Sequence, residues 1–279
     1  MPQIVKVGIL KVGCIGSSPL IEFLLDERAE RLDIDVHVSG TGAKLGAKEC
    51  KEATTSILEH KPDIIILIGP AQQTSGLADA RRTLARTGIP TIVISDGPTQ
   101  KIIKDLEEGG FGYIIVMADS MIGARREFLD NIEMSLYNTD VIKVLAISGA
   151  LRVISEALDS TILYLKKKEN PELPRIIIDK DKAIDASGFK NPYACVKAMA
   201  AFEIARHVAE LNSEACFRIK EWQRYTSIVA SAHEMMRAAA KMADEAREME
   251  KGEDSVLRRP HFNEGVLGEK RMLVEKPRR

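Results

Sequence analysis

The sequence predicts an α/β fold: a parallel, doubly wound α/β N-terminal domain, followed by a helical region and a small C-terminal β-hairpin. Three observations carry this reading. The first half repeats a short aliphatic run, a Gly- or Pro-marked loop and a segment of helical periodicity. Several of those runs are apolar almost throughout, as in Ile64-Ile65-Ile66-Leu67-Ile68. Beyond Asp119, strand-like runs nearly vanish. A strand that is apolar on both sides needs helices over both faces of its sheet, which is the parallel arrangement.

In chain order, strands are predicted at Ile4–Leu10, Ile34–Ser39, Asp63–Ile68, Thr91–Ser95 and Tyr113–Met117. Helices are predicted between them near Ser18–Glu30, Ala47–His60, Leu77–Arg86 and Gln100–Glu108. From Asn131 to about Lys168 there is no proline and a single glycine, Gly149, so this stretch reads as one long or one broken helix. Arg175–Asp179 is a short interruption set off by Pro171 and Pro174. Two further helices follow, Pro192–Leu211 and roughly Ser213–Lys251, the second with room for a break near Trp222 or Tyr225. In the tail, Val256-Leu257 and Val266-Leu267 flank Asn263-Glu264-Gly265 and are expected to close as a hairpin. The chain thus divides into a ligand-binding α/β domain (1–129), a helical bundle and oligomerisation region (130–251) and a tail (252–279).

In the last helix Ile228, Ala232, Met235, Ala239, Met242, Ala246 and Met249 alternate steps of four and three, a heptad seam. Small residues at every second position allow close backbone approach. Contacts within a bundle and contacts between subunits use the same spacing, and a homo-oligomer is expected.

Composition narrows the function classes. With 279 residues, 45% hydrophobic and 29% charged, the chain can bury a full core. Aromatic residues make up only 5%, with one Trp, which argues against base-stacking platforms. Forty basic residues against forty-one acidic ones leave a net charge of −1, so no global field draws nucleic acid or an anionic membrane. Cys14, Cys50, Cys195 and Cys216 are scattered, without a metal-ligand spacing. The N-terminus enters an apolar strand interrupted by Lys6 and does not read as a signal peptide, and no apolar stretch approaches the roughly 18 residues of a membrane span. A cytoplasmic location follows as an expectation.

The first strand ends in Lys11-Val12-Gly13-Cys14-Ile15-Gly16-Ser17-Ser18. A dinucleotide-binding turn wants glycine at three places. Gly13 and Gly16 fit the second and third, but Lys11 stands at the first. The acidic residue that would bind a ribose after the second strand is replaced by Ser39-Gly40-Thr41-Gly42. In an open parallel sheet, ligands bind at the carboxyl ends of the strands. The candidate rim therefore comprises Lys11, Gly13, Gly16, Ser17, Thr41, Gly69, Pro70, Asp96, Gly97, Pro98, Asp119, Met121 and Arg126. Lys44, Lys48, Arg125 and Arg126 offer local positive charge to an anionic ligand, and Gly97 and Gly123 leave room for a flat ring. Asp96 or Asp119 either accepts paired hydrogen bonds from an amino-pyrimidine edge or caps a helix. His233-Glu234-Met235-Met236-Arg237 lacks the second His of a zinc helix, and His233 reads as a helix–helix histidine. No Ser-His-Asp set, P-loop or carboxylate pair stands out. Hydride transfer between two bound organic molecules needs position and electrostatics more than a protein acid or nucleophile.

Long blocks of the chain resemble the methylenetetrahydromethanopterin dehydrogenases of methanogenic and related archaea. They are Lys11-Val12-Gly13, Leu24–Ala29, Gly123–Asp130, Asn191-Pro192-Tyr193-Ala194, Val196–Ala201 and Val229–Arg237. The resemblance spans essentially the whole chain. It implies dependence on coenzyme F420, a deazaflavin with a phosphodiester and an oligoglutamyl tail. The implied reaction is reversible hydride transfer between the reduced deazaflavin and methenyltetrahydromethanopterin, with no flavin, metal or nicotinamide, in a homohexamer built as a trimer of dimers. No catalytic residue is carried over. The Ala124–Tyr137 segment and Asn191-Pro192-Tyr193 are expected to close over the cleft. The residues alone leave two other readings open: an NAD(P)-dependent dehydrogenase with an atypical glycine turn, and a non-catalytic ligand-sensing α/β module.

Overall fold

The computed structural model describes residues 4–25, 31–120, 130–276 and 278. Its main sheet, among these residues, has six parallel strands: β1 (Val5–Lys11), β2 (Ile34–Gly40), β3 (Ile64–Ile68), β4 (Thr91–Asp96), β5 (Gly112–Val116) and β6 (Arg175–Ile178). Their spatial order is β2-β1-β3-β4-β5-β6. The first five lie within a residue or two of their predicted places: β3, β4 and β5 are nearly continuous aliphatic or β-branched runs, and β1 and β2 keep such residues at alternate positions around Lys6, Asp35 and His37. Every residue of β3, β4 and β5 is buried. The sequence reads Arg175–Asp179 only as an interruption among helices. It is the sixth strand, with Ile176 beside Ile114 and Ile178 beside Val116. Four residues led by an arginine carry little periodicity of their own, and pairing with β5 decides their state. The sheet therefore takes one strand from beyond residue 129.

Helices cover both faces. On one side α2 (Ala47–Glu59), α3 (Ser75–Ala85) and α4 (Ile103–Glu108) pack on Leu10, Val12, Ile65, Leu67, Val93 and Ile115. The segment before α4 is a 3₁₀ turn, Gly97–Ile102, with a proline in its first turn. On the other side α1 (Ser17–Leu25), α5 (Asn131–Ile147) and α6 (Ala150–Lys166) meet Ile9, Ile66, Ile94 and Val116. The long proline-free stretch is broken at Gly149, whose φ of +102° suits glycine. A Cβ there would overlap the carbonyl of Ala183 on α7 (Lys180–Ser187).

Asn191 opens α8 (Pro192–Phe217), its side chain accepting from Tyr193 N (2.8 Å) and Ala194 N (3.2 Å). The last helix, α9 (Trp222–Gly252), begins at the expected break, while α8 runs on through Phe217. Ala232, Ala239 and Ala246 of the heptad seam are buried, and Ile228, Met235, Met242 and Met249 are half-buried. Two of the buried alanines, Ala232 and Ala239, share a core with Phe202, Ala205 and Val208 of α8; Ala246 packs with Ala194 and Ala198. The seam is thus at least an intrachain contact. In the tail, β7 (Leu257–Arg258) pairs antiparallel with β8 (Arg271–Met272), and His261 bridges Leu267 near the turn. The hairpin is longer than predicted, since Leu257 lies opposite Met272 and not opposite the 266–267 pair.

Candidate active site

The order β2-β1-β3 places the crevice of the sheet where the connections leaving β1 and β3 part, the usual ligand position in open α/β sheets. The chain leaving β1 is tied to its neighbours by Val12 N donating to Ile68 O (2.8 Å). Thr41 N donates to Lys11 O (3.0 Å). Gly13 has a φ of +69° and donates its N–H to Thr41 Oγ1 (3.1 Å), whose hydroxyl reaches Lys44 O (2.6 Å). The Lys11 ammonium is not directed at an open crevice but pairs with Glu22 of α1 at 2.5 Å.

Gly16 stands at a close approach of a different kind. A Cβ there would lie 2.5 Å from Val141 Cγ1 and 2.9 Å from Asp119 Oδ1. The missing side chain lets α5 and Asp119 press against the start of α1. Asp119, fully buried, accepts from Gly16 N (2.7 Å) and Ser17 N (2.9 Å), and its Oδ2 also takes the Ser17 hydroxyl. Dinucleotide-binding folds set a phosphate at this helix N-terminus. Here the chain's own carboxylate, 103 residues away in sequence from Gly16, holds the same donors.

At the ends of β3 and β4, Gly69 N donates to Ile94 O (3.1 Å), and a Cβ on Gly69 would overlap Val12 O, so strand and turn lie in direct backbone contact beside Pro70. Asp96, also buried, accepts from Ala71 N (2.8 Å), and Ser95 Oγ bonds Gly69 O (2.6 Å) and Thr99 Oγ1 (2.6 Å). Burial pushes the Asp96 carboxyl up to about 6. Asp119 is pushed up to about 7, first by burial and further by the charge of Asp96, against the opposing pull of its bonds from Ser17 and Gly16. Gly97 and Pro98 are half-exposed, and a Cβ on Gly97 would meet only Met117, at 3.4 Å. Both carboxylates therefore have oxygens engaged by backbone donors of the protein. Met121 and Arg126 lie outside the described residues, as do Gly123, Arg125 and the first six residues, 124–129, of the expected closing segment.

Next to Asp119 lies a buried polar group that no local pattern announces. Ser120 Oγ and Tyr137 OH are 2.5 Å apart, and Asn212 Nδ2 donates to both, at 2.9 and 2.6 Å. His233 stacks on Tyr137 with ring centroids 4.0 Å apart, and burial lowers its pKa. His233 thus does sit between helices, as its flanking of the seam suggests. Tyr137 and Asn212, 75 residues apart, are joined only by the fold.

The outward part of the rim is small and polar. Thr41, Gly97, Pro98 and Met117 are half-exposed; Gly42, Lys44 and Lys48 are exposed. Nothing would meet a Cβ on Gly42. Lys44 pairs with Glu49 at 3.3 Å but keeps most of its side chain in solvent. Two cavities, of about 400 and about 850 Å³, lie elsewhere, and neither is lined by a predicted rim residue. Among the described residues, no three His, Cys, Asp or Glu side chains are grouped to hold a metal ion, and no helix is long and apolar enough to cross a membrane.

Comparison with known proteins matches this architecture from end to end. The family model for methylene-5,6,7,8-tetrahydromethanopterin dehydrogenase matches residues 5–278. The chain is 50% identical over 276 residues to the F420-dependent methylenetetrahydromethanopterin dehydrogenase of Methanocaldococcus jannaschii, covering 99% of this chain and 100% of that one. The enzyme of the same name from Archaeoglobus fulgidus is 50% identical over 275 residues, again 99% and 100% of the two chains. A solved structure of F420-dependent methylene-tetrahydromethanopterin dehydrogenase, in complex with methylene-tetrahydromethanopterin and coenzyme F420, matches with a TM-score of 0.93 at 45% identity, over 99% of this chain and 100% of that one. With the family model matched over nearly its full length and relatives half identical from end to end, the chain belongs to the methylenetetrahydromethanopterin dehydrogenase family.

Proposed function

We infer that this protein is an F420-dependent methylenetetrahydromethanopterin dehydrogenase, an oxidoreductase that transfers a hydride reversibly between reduced coenzyme F420 and methenyltetrahydromethanopterin in archaeal one-carbon metabolism. The observation that carries this is the end-to-end match to a chain solved with both molecules bound. The rim fits such a cofactor. Gly42 and Gly97 leave flat, open backbone, and the exposed Lys44 and Lys48 suit an anionic tail. We assign cofactor contact to the rim formed by Gly13, Thr41, Gly69, Pro70, Gly97 and Pro98, with Met121 and Arg126 from the following segment.

Bound F420 supplies or accepts the hydride. The residues of the chain hold the two partners together and keep water out. Asp96, with a pKa of about 6, is largely ionised at pH 7 and places negative charge at the rim, which favours a cationic methenyl carbon. Asp119 and Ser17 fix the start of α1 and so anchor the turn from Gly13 to Gly16. No protein acid, nucleophile, metal or flavin is required for direct transfer. The filled N-terminus of α1 disfavours a nicotinamide dinucleotide, whose pyrophosphate would compete with Asp119 for the same N–H groups.

Exposed apolar side chains on separate helices, among them Phe23, Tyr193, Val196, Phe217 and Trp222, support a homo-oligomer. We propose the hexamer that the family resemblance implies, acting in the cytoplasm on small molecules without nucleic-acid or membrane partners. The test is one spectrophotometric assay following the deazaflavin absorbance with methylenetetrahydromethanopterin. Turnover supports the assignment. Binding without turnover would favour a sensing module, and turnover with NAD(P) alone would favour a nicotinamide enzyme.

A further inference from the structure

The cavity of about 400 Å³ lies between α6, α7, the end of α9 and the tail, and it is lined by more positive than negative side chains. Its carboxylates are mostly occupied. Glu250, 1% exposed, accepts from Lys190 N (2.7 Å) and Asn191 N (2.6 Å) and also from the Ser255 hydroxyl. Asp159 is paired with His261 at 2.8 Å. Only the exposed Glu156 is uncommitted.

The cations are less well matched. Arg152, at the start of α6, gives one N–H to Ala186 O (3.1 Å). Arg247 of α9, half-buried on the same cavity, makes no hydrogen bond or ion pair with any described residue. Burial and the neighbouring Arg152 charge work against its protonated form and outweigh the favourable charges of Glu248 and Glu250. From the tail side, Arg258 and Arg259 add two more guanidiniums, each met among the described residues only by a backbone carbonyl, Glu275 O and Gly268 O respectively. With Glu250 and Asp159 committed to other donors, Arg152 and Arg247 keep guanidinium N–H groups on this cavity that an anion can take.

We propose that this cavity binds a phosphoryl oxyanion between Arg152 and Arg247. A guanidinium presents five N–H donors in a planar fork, and a carboxylate's two oxygens satisfy one such fork. A phosphate dianion has three terminal oxygens and can take donors from both helices at once. The volume is that of a small-molecule site. The ligand is free phosphate or a phosphate monoester, and it would tie the tail to α6 and α9.

The test is titration calorimetry of the full chain at fixed ionic strength in potassium chloride, with inorganic phosphate in one arm and glycerol 2-phosphate in the other. The expected result is saturable binding, one site per chain, in at least one arm. The tighter arm identifies the source. Arg247→Ala and Arg152→Ala are each expected to weaken binding at least tenfold, Arg247→Lys less, and the exposed Arg86→Ala not at all. Melting temperatures without anion confirm that each variant is folded. No saturable heat in either arm, or undiminished binding in Arg247→Ala, overturns the proposal. A rise in KM for F420 in Arg247→Ala that parallels the loss of phosphate binding also overturns it, because the cavity would then hold the cofactor's own anionic tail.

Discussion

Replacing Asp119 tests the account of the sheet rim most directly. Its carboxylate takes Gly16 N, Ser17 N and the Ser17 hydroxyl in a site closed to solvent. Asp119→Ala leaves two buried backbone N–H groups without an acceptor, at roughly 1 to 3 kcal/mol each. Relief of the carboxylate's own desolvation offsets part of this, so a net loss of about 3 kcal/mol is expected. Asp119→Asn keeps one acceptor oxygen and should lose about half as much.

The pH dependence is sharper still. Three donors favour the ionised form, whereas burial and the Asp96 charge favour the acid, and the balance lies at about 7 against an ordinary value of 3.8. A carboxyl raised in the fold binds its proton more tightly there than in the unfolded chain. Its contribution is complete below about pH 4 and is lost as pH rises through about 7. Asn does not titrate. The stability gap between wild type and Asp119→Asn should therefore narrow from pH 4 to pH 8, measured by urea unfolding at several pH values. A gap that widens over that range would refute the reasoning, since it would mean that the three donors outweigh burial.

Three further outcomes follow from named contacts. Gly16→Ala brings a Cβ within 2.5 Å of Val141 Cγ1 in a closed core, and should cost about 1 to 3 kcal/mol, lowering Tm by several degrees; an unchanged Tm would contradict the close approach. Tyr137→Phe removes the hydroxyl shared by Ser120 and Asn212 and should cost about 1 to 2 kcal/mol in denaturant unfolding, with Asn212→Ala adding less than its own separate loss because the two act through one network. Sedimentation at micromolar concentration should give an oligomer, and a monomer would count against assigning the exposed apolar residues of α8 and α9 to subunit contacts.

The sheet was legible because its central strands β3, β4 and β5 are apolar on both faces, and Gly40, Gly69 and Asp96 mark where three of the strands end, which locates both strand and rim from one-dimensional pattern. The short β6 was not, since Arg175–Ile178 becomes a strand only by pairing with Tyr113–Val116. The turn after β1 shows the same boundary more finely. Gly13 and Gly16 announce a close approach, but not what approaches. Nothing near Gly16 in sequence indicates that its neighbours are Val141 and Asp119. The choice for Asp119 between capping a helix and meeting a ligand was likewise undecidable from sequence. Its hydrogen bonds go to the start of α1, although it lies in the loop after β5. Tyr137, Asn212 and His233 carry no spacing signal because their meeting depends on how α5, α8 and α9 cross.

The alanine seam between α8 and α9 gives this protein an unusual mutational asymmetry. Ala194, Ala198, Ala201 and Ala205 on one helix and Ala232, Ala239 and Ala246 on the other are all buried. Most cores fail when they are hollowed out, but here a truncation to glycine removes only one methyl group, while any larger side chain must wedge two backbones apart. Alanine also surrenders no rotamer freedom on folding. At these alanine positions the joint is held by proximity, with Phe202, Val208 and Met236 filling the space beside them, and the tolerance of the alanines is one-sided: they can be overfilled far more easily than emptied.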